Sequence, residues 1–216
     1  MAVDVQEFYD MVSGAINRGT TYDSVIPTYV ARAVSFLEQN YSFEYMKVVD
    51  RDFFQLIADQ REYDQPYNMK KVNLWRIIKD DGKYLDLEKV NPKDLGNTND
   101  PDDTDTVVPS TFYLEGRTSL ILNVAPTLSY TDTEFHHEVF TDWTEVNLGD
   151  TPWLVENAEG LLLDQTVILM GSRLRNPSLI KLHLESKKEN LRVMSLSEED
   201  LEQGGEDPIM QYGGED

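Results

Sequence analysis

Apolar residues recur every three to four positions at the start of the chain and closer to every second position through its middle. Phe8, Met11, Val12, Ala15 and Ile16 fall at i, i+3, i+4, i+7 and i+8, which places them on one face of a helix that Gly19 ends. A second helix takes Asp23 or Ser24 as its N-cap and Pro27 in its first turn, with Ile26, Val30, Ala33, Val34 and Leu37 as the buried stripe. The two make a helical hairpin over residues 3–40. From Lys47 the period shortens, and "KVVDRDFFQLI", "REYDQPY", "VNLWRIIK" and "KYLDLEKV" read as successive strands, the last two joined by a turn at Asp80-Asp81-Gly82. Asn91-Pro92 opens a short helical turn. Residues 96–110, "GNTNDPDDTDTVVPS", are acidic and rich in turn formers, so they read as a long exposed loop of the kind that is usually functional or disordered.

The stretch "FYLEGRTSLILNVAP", Phe112 to Pro126, sets two apolar runs around Glu115-Gly116-Arg117 and predicts a tight β-hairpin. A further strand is read in "EFHHEVFTDW". The chain then returns to helix. Thr151-Pro152 opens it, and "AEGLLLDQTVILMG" carries a strong apolar face up to Gly171. Asn176-Pro177 begins another helix that reaches about Gln203, with a second capping signal at Ser197, and at ~1.5 Å per residue it is ~40 Å long. Its stripe of Ile180, Leu184, Leu191 and Met194 is thin, so one narrow seam faces a neighbour while the rest stays wet. The end, "GGEDPIMQYGGED", has two Gly-Gly pairs and cannot form a core element, yet Ile209, Met210 and Tyr212 make an apolar patch that resembles a docking segment. The predicted fold is α+β: a helical bundle built from both ends of the chain, helices in 3–40 and 151–203, with a small antiparallel sheet in 47–143 and a protruding hairpin. It forms one domain over 1–203, followed by a flexible tail over 204–216.

Composition narrows what such a fold can do. At 216 residues, 40% hydrophobic and 10% aromatic, the chain has enough apolar mass for a sizeable core. It carries 19 Lys and Arg against 40 Asp and Glu, a net charge of -21, which disfavours any sequence-independent grip on phosphate. An acidic surface suits a soluble assembly component, or a wall past which DNA must slide. With no cysteine, disulfides, thiolate catalysis and Cys-ligated zinc are excluded, and a reducing cytoplasm suits the chain. "MAVDVQEFYD" lacks the basic and apolar regions of a signal peptide, and no run approaches ~20 apolar residues, so no membrane partner is expected.

The chemistry-bearing residues form no recognised constellation. There is no phosphate-binding glycine loop, dinucleotide fingerprint, nucleophile elbow or HExxH pattern. His136 and His137 are adjacent in a strand and point to opposite faces, and His183 stands alone in the sequence, so no metal is expected. Asn99, Asp100, Asp102, Asp103 and Asp105 imitate a calcium loop without its glycine or its closing glutamate. Glu134, Glu138 and Asp142 offer an acid/base pair only in the sense that 40 carboxylates always do. Trp75, Trp143, Trp153, Tyr113, Phe53 and Phe54 read first as core. No catalytic residue and no cofactor is expected.

The order of elements resembles one family. "YVARAVSFLEQ", "REYDQPYNMKKVNLWRI", "FYLEGRTSLILNVAP" and "TPWLVENAEGLLLDQTVILMGSRLRNPSLIKLHLESKKENLRVM" look like the second opening helix, the entry to the central sheet, the central hairpin and the closing helices of head-to-tail adaptor proteins of short-tailed bacteriophages. The resemblance implies a structural virion protein, also called a connector or tail tube component. It implies a twelve-fold ring beneath the portal that receives the tail nozzle, with tail fibres as a further candidate partner and DNA passing through without specific binding. Ile209, Met210 and Tyr212 are then the candidate portal-docking residues, and Tyr113, Glu115, Gly116 and Arg117 the candidate contact with a neighbouring subunit or the nozzle. The implied location is the virion, after assembly in the host cytoplasm. The acidic loop at 96–110 departs from the family pattern. Two other readings compete: a carbohydrate-active or cell-wall-binding tail protein using the aromatics and carboxylates, and an acidic inhibitor that mimics DNA.

Overall fold

A computed structural model describes residues 3–51, 55–66, 68–78, 82–94, 108–116 and 119–202. The chain divides into two compact units, one from Met1–Ser42 and Thr141–Asp216, the other from Phe43–Phe140.

In the first unit, helix α1 (Val5–Ile16) starts at an Asp4–Glu7 capping box, and its stripe buries Val5, Phe8, Val12 and Ile16. The backbone N–H groups of Val5 and Gln6 donate to the carbonyls of Asp150 and Leu148, so the returning chain satisfies donors that the helix cannot. A 3-10 turn over Gly19–Val25 leads into α2 (Ile26–Asn40), whose buried residues include Ile26, Val30, Ala33, Val34 and Leu37. Neither Asp23 nor Ser24 caps α2; its preceding residue Val25 makes no side-chain cap. Instead Asp23 accepts from Ser13 Oγ at 2.8 Å, which ties the 3-10 turn to α1. Two further helices follow the sheet unit, α3 (Trp153–Asn157) and α4 (Glu159–Leu174). Helix α4 packs against α1, α2, α3 and the last helix, α5 (Pro177–Glu202), so it is surrounded, which is why "LLLDQTV" is buried on nearly every side. Asn176 Oδ1 accepts from the Leu179 N–H to cap α5, with Pro177 in its first turn. Ser197 does not interrupt α5, which is one helix of 26 residues.

The second unit corrects the expected bundle with a small antiparallel sheet. It is a seven-stranded mixed sheet of β1 (Lys47–Asp50), β2 (Glu62–Asp64), β3 (Met69–Ile78), β4 (Tyr84–Lys89), β5 (Thr111–Glu115), β6 (Ser119–Leu122) and β7 (Thr133–Val139), in the order β1-β7-β3-β4-β5-β6-β2. All pairs are antiparallel except β4–β5, where Glu88 faces Thr111 and Lys89 faces Phe112 in parallel. Parallel neighbours need a crossover of about a dozen residues or more, so the chain between β4 and β5 has to be long. That is a physical reason for the number of residues between the two strands. The sheet has its own core, with Trp75 and Ile77 of β3, Leu87 of β4, Phe112 of β5, Leu120 and Leu122 of β6, and Phe135 of β7 buried together.

The protruding hairpin is corrected as well. Strands β5 and β6 lie inside the sheet between β4 and β2, and Phe112, Leu120 and Leu122 belong to its core. The reason is the alternation itself: two runs apolar enough to form strands are also apolar enough to need burial on one face.

His137 on β7 is 2% exposed, and its ring lies tilted at 5.1 Å from the Phe135 ring. Burial pushes its imidazole below the ordinary value of 6.5, outweighing the Phe135 backbone and the Asp50 carboxylate, which act the other way. The folded chain therefore binds this proton less readily than the unfolded chain, so stability at this residue is lost as pH falls below about 6.5. In His137→Phe, melting temperature is expected to fall less between about pH 7 and pH 5 than in the native chain, as followed by circular dichroism. Equal slopes for the two proteins would rule His137 out as a source of acid sensitivity.

Candidate assembly surfaces

Helices α4 and α5 meet through polar groups, an arrangement a simple apolar stripe does not predict. Asp164, Gln165 and Thr166 are all buried in mid-helix. Thr166 Oγ1 donates back to the Leu162 carbonyl at 2.8 Å. Asp164 accepts from His183 Nδ1 at 2.6 Å and from Asn190 Nδ2 at 2.8 Å, and Lys187 Nζ donates to Gln165 Oε1 at 2.6 Å. His183, Lys187 and Asn190 are spaced i, i+4, i+7, so they form one ladder along α5. Burial pushes the Lys187 ammonium below its ordinary value against the opposing pull of Asp164, and its Nζ lies 4.7 Å from the centre of the Phe36 ring. The helices approach closely at both ends of the ladder. A Cβ on Gly160 would meet Asn190 Nδ2 at 3.0 Å, and one on Gly171 would meet Ile180 Cγ1 at 2.8 Å. Leu182 and Val193 lie about a quarter turn round α5 from the ladder and face solvent, 62% and 53% exposed.

The residues expected to make contacts fall differently. Tyr113 is half-buried in β5, and of the described residues at the tip Glu115 and Gly116 are exposed, Gly116 with the positive φ (+64°) that the turn requires. Arg117 lies outside the described residues, as do Ile209, Met210, Tyr212, Phe53, Phe54 and most of the 96–110 segment.

The carboxylates of β7 are engaged by cations. Glu138 is 2% exposed and lies 3.0 Å from Lys71 Nζ and 3.6 Å from Lys70 Nζ. A register shift between Met69 and Lys71 lets neighbouring lysines reach the same carboxylate, which regular pleating would prevent. Glu134 meets Arg51 at 3.3 Å, Arg76 at 3.7 Å and His136 at 3.4 Å. As their adjacency dictates, His137 is buried among core residues while His136 joins Glu134 on the other face. Trp75 is core, with no exposure. Among the described residues no group of three His, Asp or Glu could hold a metal ion, and no helix is long and apolar enough to cross a membrane.

The Asp164–His183 pair is the functional candidate that sequence reasoning missed. Its members are separated by most of a helix and a turn, and the one available signal was a run of polar residues within an otherwise apolar helix, "LLLDQTV". Compared with models of known protein families and with curated protein sequences, the chain matches none.

Proposed function

We propose that this chain is a structural virion protein: a head-to-tail adaptor of a short-tailed bacteriophage that assembles as a twelve-fold ring beneath the portal, receives the tail nozzle and works without catalysis. The observation that carries the reading is α5, a 26-residue helix attached to its unit along a polar ladder, with Leu182 and Val193 exposed about a quarter turn away from it. An element held along one face, with exposed apolar residues beside that face, suits a ring, whose heterologous surfaces must meet a neighbour. The charge fits a conduit. At -21 per chain, twelve copies carry about -250, and a negative wall keeps DNA from adhering as it leaves.

In this reading Ile209, Met210 and Tyr212 engage the portal, and the β5–β6 tip at Glu115, Gly116 and Arg117 meets a neighbour or the nozzle. Assembly takes place in the host cytoplasm and the finished location is the virion.

The test is native mass of the purified chain, alone and mixed with the portal protein encoded beside it. A monomer that becomes a stoichiometric ring on the portal is the expected result. Absence of any association at near-physiological salt would remove the adaptor reading, and a sugar-dependent rise in melting temperature would favour a carbohydrate-binding role in its place.

A further inference from the structure

The sheet has two end strands, and among the described residues each has an open edge: β1 pairs with β7 alone and β2 with β6 alone. Such edges are templates for pairing with another chain. Val49, 49% exposed, sits on the β1 edge. Five of the sheet's six pairings are antiparallel and one is parallel, so β1 and β2 run in opposite directions. A second copy turned about an axis along the strands therefore brings its β2 antiparallel to β1 of the first, with the core faces of both sheets on the same side.

The outward peptide groups of the two edges match. The Leu122 N–H donates to the Arg61 carbonyl, so by alternation Arg61 and Tyr63 turn their peptide groups toward β6, and Glu62 and Asp64 turn theirs to the open edge. At the other end the Ile78 N–H donates to the Asp132 carbonyl, so Glu134 and His136 address β3 while Phe135 and His137 address β1. Val48 and Asp50 face those two, which leaves Lys47 and Val49 pointing outward. The Lys47 N–H is taken by the Glu44 carbonyl, and the Glu62 carbonyl accepts from Gln60 Nε2 at 2.9 Å, a side-chain bond that an incoming strand replaces. We infer that β1 of one subunit pairs antiparallel with β2 of the next, Lys47 opposite Asp64 and Val49 opposite Glu62. The inference rests on the ring reading and names a contact that closes the ring.

Charge selects this pairing over the alternatives. In this register Val48 lies beside Tyr63 on the core face, and each remaining charge directly across meets its opposite: Lys47 with Asp64 on the outer face, Asp50 with Arg61 on the core face. Lys47, Arg61 and Asp64 are exposed, and Asp64 makes no ion pair among the described residues. Self-pairing gains nothing comparable. Two β1 edges meeting about a two-fold axis at Val49 set Lys47 opposite Arg51, and about Val48 they pair no charges at all. Two β2 edges meet carboxylate on carboxylate, Glu62 on Asp64 about Tyr63. Edges that complement each other and not themselves make heterologous contacts, the kind from which rings are built.

The chain has no cysteine, so single introduced thiols report the contact. Full-length Val49→Cys and Glu62→Cys chains are mixed, assembled with the portal protein and treated with a short bis-maleimide. The expected result is covalent dimers from the mixture and none from either variant assembled by itself. In native mass measurements, Lys47→Asp is expected to lower the fraction of chain held in rings, and Asp64→Lys in the same chain to restore it, with the circular dichroism of the free chain unchanged. Rings that form without the crosslink, dimers from either cysteine variant alone, or no restoration by the second charge reversal would overturn the edge pairing and leave the adaptor reading in place. Absence of any ring from the native chain on the portal would remove both.

Discussion

Trp75→Ala is expected to lower the stability of the sheet unit by about 3–5 kcal/mol, a loss on the scale of a small domain's entire net stability. Trp75 has no exposure and lies between Leu87 of β4 and Phe135 of β7 in the register of β3. Its ring makes edge-to-face contacts with Tyr63 at 5.6 Å and with Phe112 and Phe135 at 5.5 Å each. Those partners come from β2, β5 and β7, so one side chain links strands from both ends of the sheet. Truncation opens a cavity that no single strand can close by shifting, since each is held by pairing on at least one side. Urea unfolding followed by near-ultraviolet circular dichroism measures the effect. Trp75→Phe, which keeps an aromatic edge, should lose clearly less than the alanine variant. A midpoint for Trp75→Ala indistinguishable from the native one would mean that the sheet does not depend on this cluster.

How far the fold can be read from the sequence depends on how local its causes are. The stripes of α1 and α2 are periodic, and Phe8, Val12, Ile16, Val30, Ala33, Val34 and Leu37 are buried as their spacing requires. Alternation likewise marks Tyr63 between exposed Glu62 and Asp64 in β2. The size and mixed pairing of the sheet are not local. Nothing in "YLDLEK" or "TFYLE" says that they lie side by side in parallel, and only that pairing explains why a long stretch of chain has to connect them. The seam of α5 was legible only in part, for a related reason. Ile180, Leu184, Leu191 and Met194 have the right spacing for an apolar stripe, and Ile180, Leu191 and Met194 are half-buried with Ile180 against Gly171, but Leu184 is substantially exposed and His183, Lys187 and Asn190 add a polar contact with α4 beside the stripe. Whether a polar residue on a helix faces water or a buried carboxylate depends on the partner helix, here on Asp164, which periodicity within α5 does not contain.

Asp164→Ala is expected to destabilise the helical unit by about 3–5 kcal/mol and to release α5 first. The carboxylate is 4% exposed on its side chain and is the shared acceptor of His183 and Asn190. Its removal leaves two half-buried donors without that acceptor and takes away the charge that faces Lys187, each a loss of the kind that costs far more than the intact pair contributes. Amide hydrogen exchange should therefore speed up along Pro177–Met194 before it does in α1 and α2, whose buried stripes do not depend on Asp164. Uniform acceleration across the unit would show instead that α5 does not open on its own. The variant that decides what the polar ladder is for replaces all three groups, Asp164→Leu with His183→Leu and Asn190→Leu. If stability returns to the native level or above, the ladder does not hold α5 on because polar contacts are stronger than apolar ones; it sets the register of the two helices at some cost in strength. A helix attached in that way can be repositioned by a partner of moderate affinity, because the partner has to replace a few hydrogen bonds and no extensive apolar core. In the ring we propose, a subunit has to adjust its outward face to a neighbour as the ring closes, and a polar seam serves that adjustment better than a purely apolar contact would.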